Sequence, residues 1–467
     1  MMSQSLFVHE PSELRDLAAI AIERGHALGA SDVVARVSEG SNLSVSVRNG
    51  ELDVMKRSRS KQLSITVYVD GCRGGTTSAD LSPDAIAVAT KAAFDIASYT
   101  AEDPHAGPVE TESLVRDPVD PGLLHLWEVS PEEAIALAAE MEAAALAESP
   151  LITGGGEPDA TNRLGTTSLA SNGSSVSADH SQFALATSRG LSVGYAQSFH
   201  SLSCSVIAAR DGGMQNGSWN SVARAPADLE GTACLGRAAA ARALAQLGAR
   251  RLPTAPAAVM FEAPVAASIV AALLRAASGD AQYKRRSFLL AAVGREVMAN
   301  HLTIEERPHA AMGLASAPFD GEGVATRTRD IVSNGMLTTY LLDSYAARRL
   351  DLPYTGHAGG ARNARLVSSR TSDGDDFEAM LRKLDTGLLV THTMGGGANP
   401  MTGDYSQGVA GLWVERGEVR HAAQEITISG NLLEMLAGIV AVGADRFTRG
   451  AIETGSILID RMQIAGA

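Results

Sequence analysis

The chain has 467 residues, 45% of them hydrophobic and 20% charged, which is too long for one ordinary core and apolar enough to build two. Its formal net charge of −14, from 39 Lys and Arg against 53 Asp and Glu, repels phosphate backbones and argues against direct nucleic-acid binding. Three widely spaced cysteines, Cys72, Cys204 and Cys234, argue against a disulfide framework or zinc ribbon, so a cytoplasmic protein with no membrane span is expected.

Leu14, Leu17, Ala18 and Ala21 recur at helical spacing and predict a helix over residues 12–28. Alternating Leu43, Val45 and Val47 run into Asn49-Gly50, a hairpin signal, and Leu52 and Val54 resume beyond it. Leu63, Ile65, Val67 and Val69 alternate up to Asp70-Gly71, so three or more antiparallel strands are implied. Ser82-Pro83 and Ser130-Pro131-Glu132-Glu133 then announce two Ala-rich helices. Residues 153–207 read as a β-rich block, and a helix follows over 228–248.

Arg250 to Pro256 reads as a domain boundary, giving an N-terminal α+β domain (1–250, with a sub-block boundary near 150) and a β-rich domain (255–467). The second begins with a strand over Ala258–Phe261 and a helix opened by Pro264. Asn334-Gly335 joins strands 324–332 and 336–341, Arg416-Gly417 joins 409–415 and 418–422, and Asn431 caps a last helix. No sequence repeat is evident. The fold class is α+β in two domains, with mostly antiparallel sheets and flanking helices.

A zinc peptidase helix needs two histidines about one turn apart and a glutamate to activate water. None of the eleven histidines forms such a pair; His301 and His309 are eight apart with Pro308 between them. Met394 to Asn399 reads as a glycine-rich loop but lacks the Lys and Ser/Thr of a phosphate cradle. Its glycines permit either a tight turn or the approach of another backbone, from a neighbouring subunit or a peptide. His392 and Asp404 could meet across that loop as an acid–base pair. Ser58-Arg59-Ser60-Lys61 matches the spacing of serine acyl enzymes without the companion motifs, inside a basic run, Lys56 to Lys61, that reads as a solvated loop or a docking patch. Tyr283 to Leu289 places basic residues beside aromatics, as a partner rim or a surface helix start would.

The run Thr391-His392-Thr393-Met394-Gly395-Gly396-Gly397 continues through Asn399, Thr402, Gly403, Asp404 and Tyr405 to Gly411-Leu412-Trp413-Val414-Glu415 and Glu425 to Leu432. This wording resembles the C-terminal signature of the TldE/PmbA family, the "modulator of DNA gyrase" proteins, and the likeness extends to residues 41–78 and 281–290. The resemblance implies a metal-free subunit of a zinc metallopeptidase, with no cofactor of its own and with zinc in a TldD-like partner. Where TldD-like chains carry H-E-x-x-x-H, this one reads Val270-Ala271-Ala272-Leu273-Leu274-Arg275, and no cysteine follows Cys234. The resemblance further implies a cavity-forming C-terminal domain that admits small unfolded peptides. His392, Met394, Gly395, Gly396, Gly397, Asp404 and Tyr405 are its candidate substrate or partner contacts. Self-association of the isolated chain is left open. Two other readings stand beside this one: an autonomous metal-free hydrolase using His392, Asp404 or Ser58, and a non-enzymatic gyrase-linked binding protein.

Overall fold

The computed structural model describes residues 6–149 and 167–466, so the sub-block boundary expected near 150 lies outside the described residues. α1 (Pro11–Ala27) leads into a meander of β1 (Asp32–Arg48), β2 (Glu51–Val69) and β3 (Cys72–Ser78), followed by α2 (Pro83–Tyr99). The same sequence of elements then recurs as α3 (Pro131–Ala147), β4 (Ser168–Thr187), β5 (Ser192–Arg210), β6 (Gly213–Ala223) and α4 (Thr232–Ala245). The six strands form one antiparallel sheet in the order β3-β2-β1-β4-β5-β6, symmetric about the β1–β4 pair. Two copies of a helix–meander–helix unit are thus joined through their first strands.

The local chemistry explains each unit. Asn49 (φ 54°) and Gly50 (φ 76°) make the left-handed turn that the first hairpin needs. Ser82 caps α2 by accepting from the Ala85 amide, and Ser130 with Glu133 forms a reciprocal capping box on α3. Both helix pairs cover the same face of the sheet, α1 and α2 over Val33, Val37, Ile65 and Val67, and α3 and α4 over Val45, Val176, Leu202 and Val206. Gly74 and Gly217 occupy matching places in the two units. A Cβ there would stand 2.0 Å from the Ala93 carbonyl oxygen or 2.2 Å from the Ala243 nitrogen, so each glycine lets its helix lie directly on the strand.

The basic run Lys56–Lys61 is not a loop, as expected, but the middle of β2, with Ser58 opposite Asn42 and Lys61 opposite Glu39. Charged side chains suit this stretch, because β3 pairs with β2 only from Leu63 onward and leaves an open strand edge before it.

The second half begins with β7 (Ala255–Phe261), α5 (Ala263–Ala276), α6 (Gly279–Tyr283), β8 (Leu302–Glu306), β9 (Arg329–Ser333) and β10 (Met336–Leu337). It continues with α7 (Ser344–Leu350), β11 (Ala364–Ser368), α8 (Phe377–Leu384), β12 (Gly387–Ala398), β13 (Asp404–Glu415) and β14 (Glu418–Asn431). It closes with α9 (Leu432–Ala437), β15 (Ile439–Val442), β16 (Phe447–Arg449), β17 (Ile452–Thr454) and β18 (Ile457–Ala465). The expected strands at 324–332 and 336–341 are shorter than the alternation suggested, and irregular backbone replaces their outer ends.

Strands β14-β13-β12-β7-β18 follow one another, and β14 pairs back to β18, closing a barrel. A second sheet runs β10-β9-β8-β11-β17-β16. Val265, Ile269, Val270 and Leu273 of α5 enter the main core with Val259, Phe261, Leu388 and Val390. Burial at that level contributes about 1.5–3 kcal/mol for each large aliphatic side chain. Among the described residues no helix is long and apolar enough to cross a membrane.

The connection between the two helix–meander–helix units is pinned by a buried histidine pair. His180 Nε2 accepts from the Trp127 amide at 3.1 Å, and the His200 ring lies 5.0 Å away and donates to the His125 carbonyl at 2.8 Å. Burial, followed by the neighbouring His200, pushes His180 down to about 4. Its folded form therefore resists a proton that the unfolded chain takes up below about pH 6.5, so this stabilisation is complete above pH 6.5 and lost as pH falls toward 4. Unfolding free energy should fall by roughly 2–3 kcal/mol through this group between pH 7 and 4.5. Denaturant titrations of wild type and His180→Gln at both pH values check this: the fall should shrink in the variant, and an identical fall would remove His180 from the account.

Candidate functional site

β12 enters the barrel as Leu388-Leu389-Val390, paired in parallel with β7 up to Phe261, and there β7 ends. The chain turns at Glu262 into α5, whose first residues face Thr391 to Thr393 across a cleft of about 890 Å³. The first half of the chain supplies the opposite wall, through Asn216, Trp219 and Asn220 of β6 and through Arg242 and Gln246 at the end of α4.

Glu262 stands at the N-cap of α5 without capping it, because its carboxylate is engaged elsewhere. Arg242 grips both its oxygens, Nη1 to Oε1 at 2.8 Å and Nη2 to Oε2 at 2.7 Å, and also donates to the Thr391 carbonyl at 3.1 Å. One helical turn on, Gln246 donates to Thr391 Oγ1 at 3.2 Å. The Arg242 guanidinium lies 5.0 Å over the Trp219 ring, whose Nε1 donates to Glu230 and which also meets the Phe447 ring. A bidentate, stacked arginine of this kind fixes the two halves in one relative position.

Of the residues singled out in the sequence, His392 lines the cleft, with an exposed side chain. The segment from Met394 to Ala398 is strand rather than the glycine-rich loop expected, because β12 stays paired with β13 across register shifts at Thr391 and Gly395. Gly395, Gly396 and Gly397 have φ of 53°, 70° and 123°. The glycines do admit a second backbone, but it is the chain's own: a Cβ on Gly396 would sit 2.3 Å from the Ser406 carbonyl oxygen. Met394 is 47% exposed on this hairpin. Asp404 lies at the hairpin's far end, where its carboxylate accepts from Thr402 Oγ1 at 2.7 Å. Tyr405 is packed into the main core, and burial pushes its hydroxyl far above the usual phenol range.

His392 and Asp404, which the sequence allowed to meet, do not. His392 pairs with Ala410 near the barrel, whereas Asp404 lies beyond the Ala398–Tyr405 pair, roughly 20 Å further along the hairpin. Ser58 belongs to the other sheet, opposite Asn42. His301 and His309 are also occupied separately: His301 bonds Ser368 and the Ile439 carbonyl, and His309 bonds Thr326. The segment Tyr283–Leu289 reaches the tip of the hairpin, where the Phe288 amide donates to the Pro400 carbonyl at 2.9 Å.

The cleft's donor set does not suit zinc. On α5, Val265, Ser268 and Ala271 face the cleft, Val270 and Leu273 are buried in the core, and Arg275 is exposed at the helix end. Glu262 is neutralised by Arg242, which leaves His392 without an anionic or imidazole companion in the cleft. Among the described residues no three His, Cys, Asp or Glu side chains converge as a metal site would require. Arg242, Gln246, Trp219 and Glu262 were not recognisable as site residues in the sequence. Two polar side chains four apart in the otherwise Ala-rich α4 segment were the one signal available.

Family models describing the PmbA/TldA metallopeptidase domain 1, central domain and C-terminal domain match residues 33–97, 124–247 and 254–466. The chain is 42% identical to Metalloprotease PmbA of Escherichia coli O157:H7, covering 97% of this chain and 96% of that protein. It is 38% identical to a Metalloprotease PmbA homolog of Haemophilus influenzae, covering 99% and 98%. The fold is shared with the crystal structure of a putative modulator of DNA gyrase from Bacteroides thetaiotaomicron, with a TM-score of 0.86, 23% identity and coverage of 97% and 99%. TldE from Thermococcus kodakarensis has the same fold, with a TM-score of 0.81, 18% identity and coverage of 96% and 100%.

Proposed function

The chain belongs to the PmbA/TldA metallopeptidase family, and we propose that within it this chain is a non-catalytic subunit that pairs with a zinc-bearing TldD-like chain to process small unfolded peptides. The observation that carries the reading is the cleft itself. It lies where the first half meets α5 and β12, yet α5 offers it Val265, Ser268 and Ala271, and Arg242 claims the carboxylate of Glu262. In a zinc peptidase the metal lowers the pKa of a bound water and polarises the scissile carbonyl. In the proposed scheme that chemistry belongs to the partner. This chain contributes a rigid wall that excludes folded proteins and orders the partner's surface. The activity in the names of the E. coli and H. influenzae relatives is then a property of a two-chain assembly.

The autonomous-hydrolase reading has no such support, since Ser58, His392 and Asp404 occupy separate places. A direct action on gyrase has no observation in its favour beyond the names that solved structures of this fold, such as the Bacteroides protein, carry. Elemental analysis of the purified chain tests the donor-set argument. Far less than one zinc per chain is expected, with no loss of folding on chelation. One tightly held zinc whose removal unfolds the protein would overturn the reading.

A further inference from the structure

The first sheet ends at β6, and among the described residues no strand covers the outer edge of β6. Consecutive residues of this strand, Asn216 to Asn220, line the cleft, so the cleft runs along about 16 Å of that edge rather than across one face. Asp211 and Gly212, with φ of 53° and 81°, make the two-residue turn that sets Arg210 opposite Gly213, and the pairing with β5 then runs to Ala223 without a shift. Gly213, Gln215, Gly217 and Trp219 therefore bond to β5, and the amides and carbonyls of the residues between them point away from the sheet. Those of Asn216, Ser218 and Asn220 have no partner among the described residues.

The two open edges of this sheet are guarded differently. The uncovered stretch of β2 carries Lys56, Arg57, Arg59 and Lys61, charges that oppose the addition of another strand. From Gly213 to Ala223, β6 carries neither a charge nor a proline. Its protection is positional. The other side of the cleft is walled by α5 and by Thr391 to Thr393 of β12, a stretch that has lost its β7 neighbour at Phe261. What reaches the β6 edge is thus a single extended chain rather than another folded sheet. Side-chain charge has little part in such recognition, because Arg242 and Glu262 neutralise each other and Arg449 donates to the Pro264 carbonyl at 3.2 Å.

We propose that an extended peptide binds in this cleft as an added strand of the first sheet, hydrogen-bonded through its main chain to Asn216, Ser218 and Asn220. The proposal rests on the reading that this chain meets unfolded peptides, and it gives the chain a non-catalytic holding site of its own. Because main-chain groups carry the contact, peptides of unlike sequence bind as long as they are extended and keep free amides.

Calorimetry tests this with the full chain and two capped peptides, acetyl-Thr-Val-Ser-Val-Thr-amide and the same sequence N-methylated at its three central residues. The unmodified peptide should bind. The methylated one should bind roughly tenfold more weakly or worse, because methyl groups on adjacent residues block both edges of the strand. Ser218→Pro removes an outward amide without touching a β5 bond, and should weaken binding of the unmodified peptide by roughly fivefold or more. Met214→Pro, on the same edge but outside the cleft, should not. Each variant is checked for unchanged circular dichroism, and Ser218→Lys, which adds a guarding charge to the edge, takes the place of a Ser218→Pro that does not fold. No binding of the unmodified peptide, equal binding of the two peptides, or unchanged binding by the folded Ser218 variant would overturn the proposal. Neither zinc nor a partner enters the assay, so its failure would leave the subunit reading standing.

Discussion

Arg242→Ala should destabilise the purified chain by about 2–3 kcal/mol, more than an exposed ion pair contributes and somewhat less than a fully buried one. The Arg242 and Glu262 side chains are 26% and 17% exposed, so removing the guanidinium leaves a largely desolvated carboxylate at the mouth of α5 without a counter-charge. The same change removes the stacking on Trp219 and the bond to the Thr391 carbonyl. Pairing Arg242→Met with Glu262→Gln should recover part of the loss, because no orphaned charge then remains. Urea titrations of the two single variants and the double variant measure the coupling. A single-variant cost below about 0.5 kcal/mol would mean that solvent screens the pair and that it does not lock the halves together.

Gly396→Val should cost about 3 kcal/mol or more, whereas Gly395→Ala should cost only about 1 kcal/mol. Both glycines have positive φ, so both substitutions carry backbone strain. They differ in space: nothing lies within 4 Å of a Cβ on Gly395, while one on Gly396 meets the Ser406 carbonyl at 2.3 Å. Thermal denaturation of the two variants side by side checks the bulged register of β12. If Gly396→Val matches Gly395→Ala, the pairing of Gly396 with Gln407 is not as described.

Much of the fold was legible because local signals and tertiary structure agree. Asn49-Gly50, Ser82-Pro83, Ser130 with Glu133, and Arg416-Gly417 each mark an element boundary by chemistry acting within four residues. The repeat of the helix–meander–helix unit was not legible. It rests on burial pattern and on small residues at helix contacts, such as Gly74 and Gly217, which leave no shared wording. The glycine run after His392 misled for a similar reason. A glycine run suggests a loop, whereas here its positive φ accommodates a bulge between Met394 and Gly396 inside a paired strand. The cleft was half legible: His392 was identifiable, but the clamp on its neighbour Thr391 comes from Arg242 and Gln246, about 150 residues earlier in the chain, and no local rule links such positions.

Cleavage of an unfolded peptide by this chain alone, by a TldD-like chain alone, and by the two mixed tests whether this chain is a non-catalytic subunit. No turnover is expected from this chain alone, and chelator-sensitive turnover in the mixture should exceed that of the partner alone. Robust, chelator-insensitive hydrolysis by this chain alone would contradict that role, as would a mixture no faster than the TldD-like chain by itself.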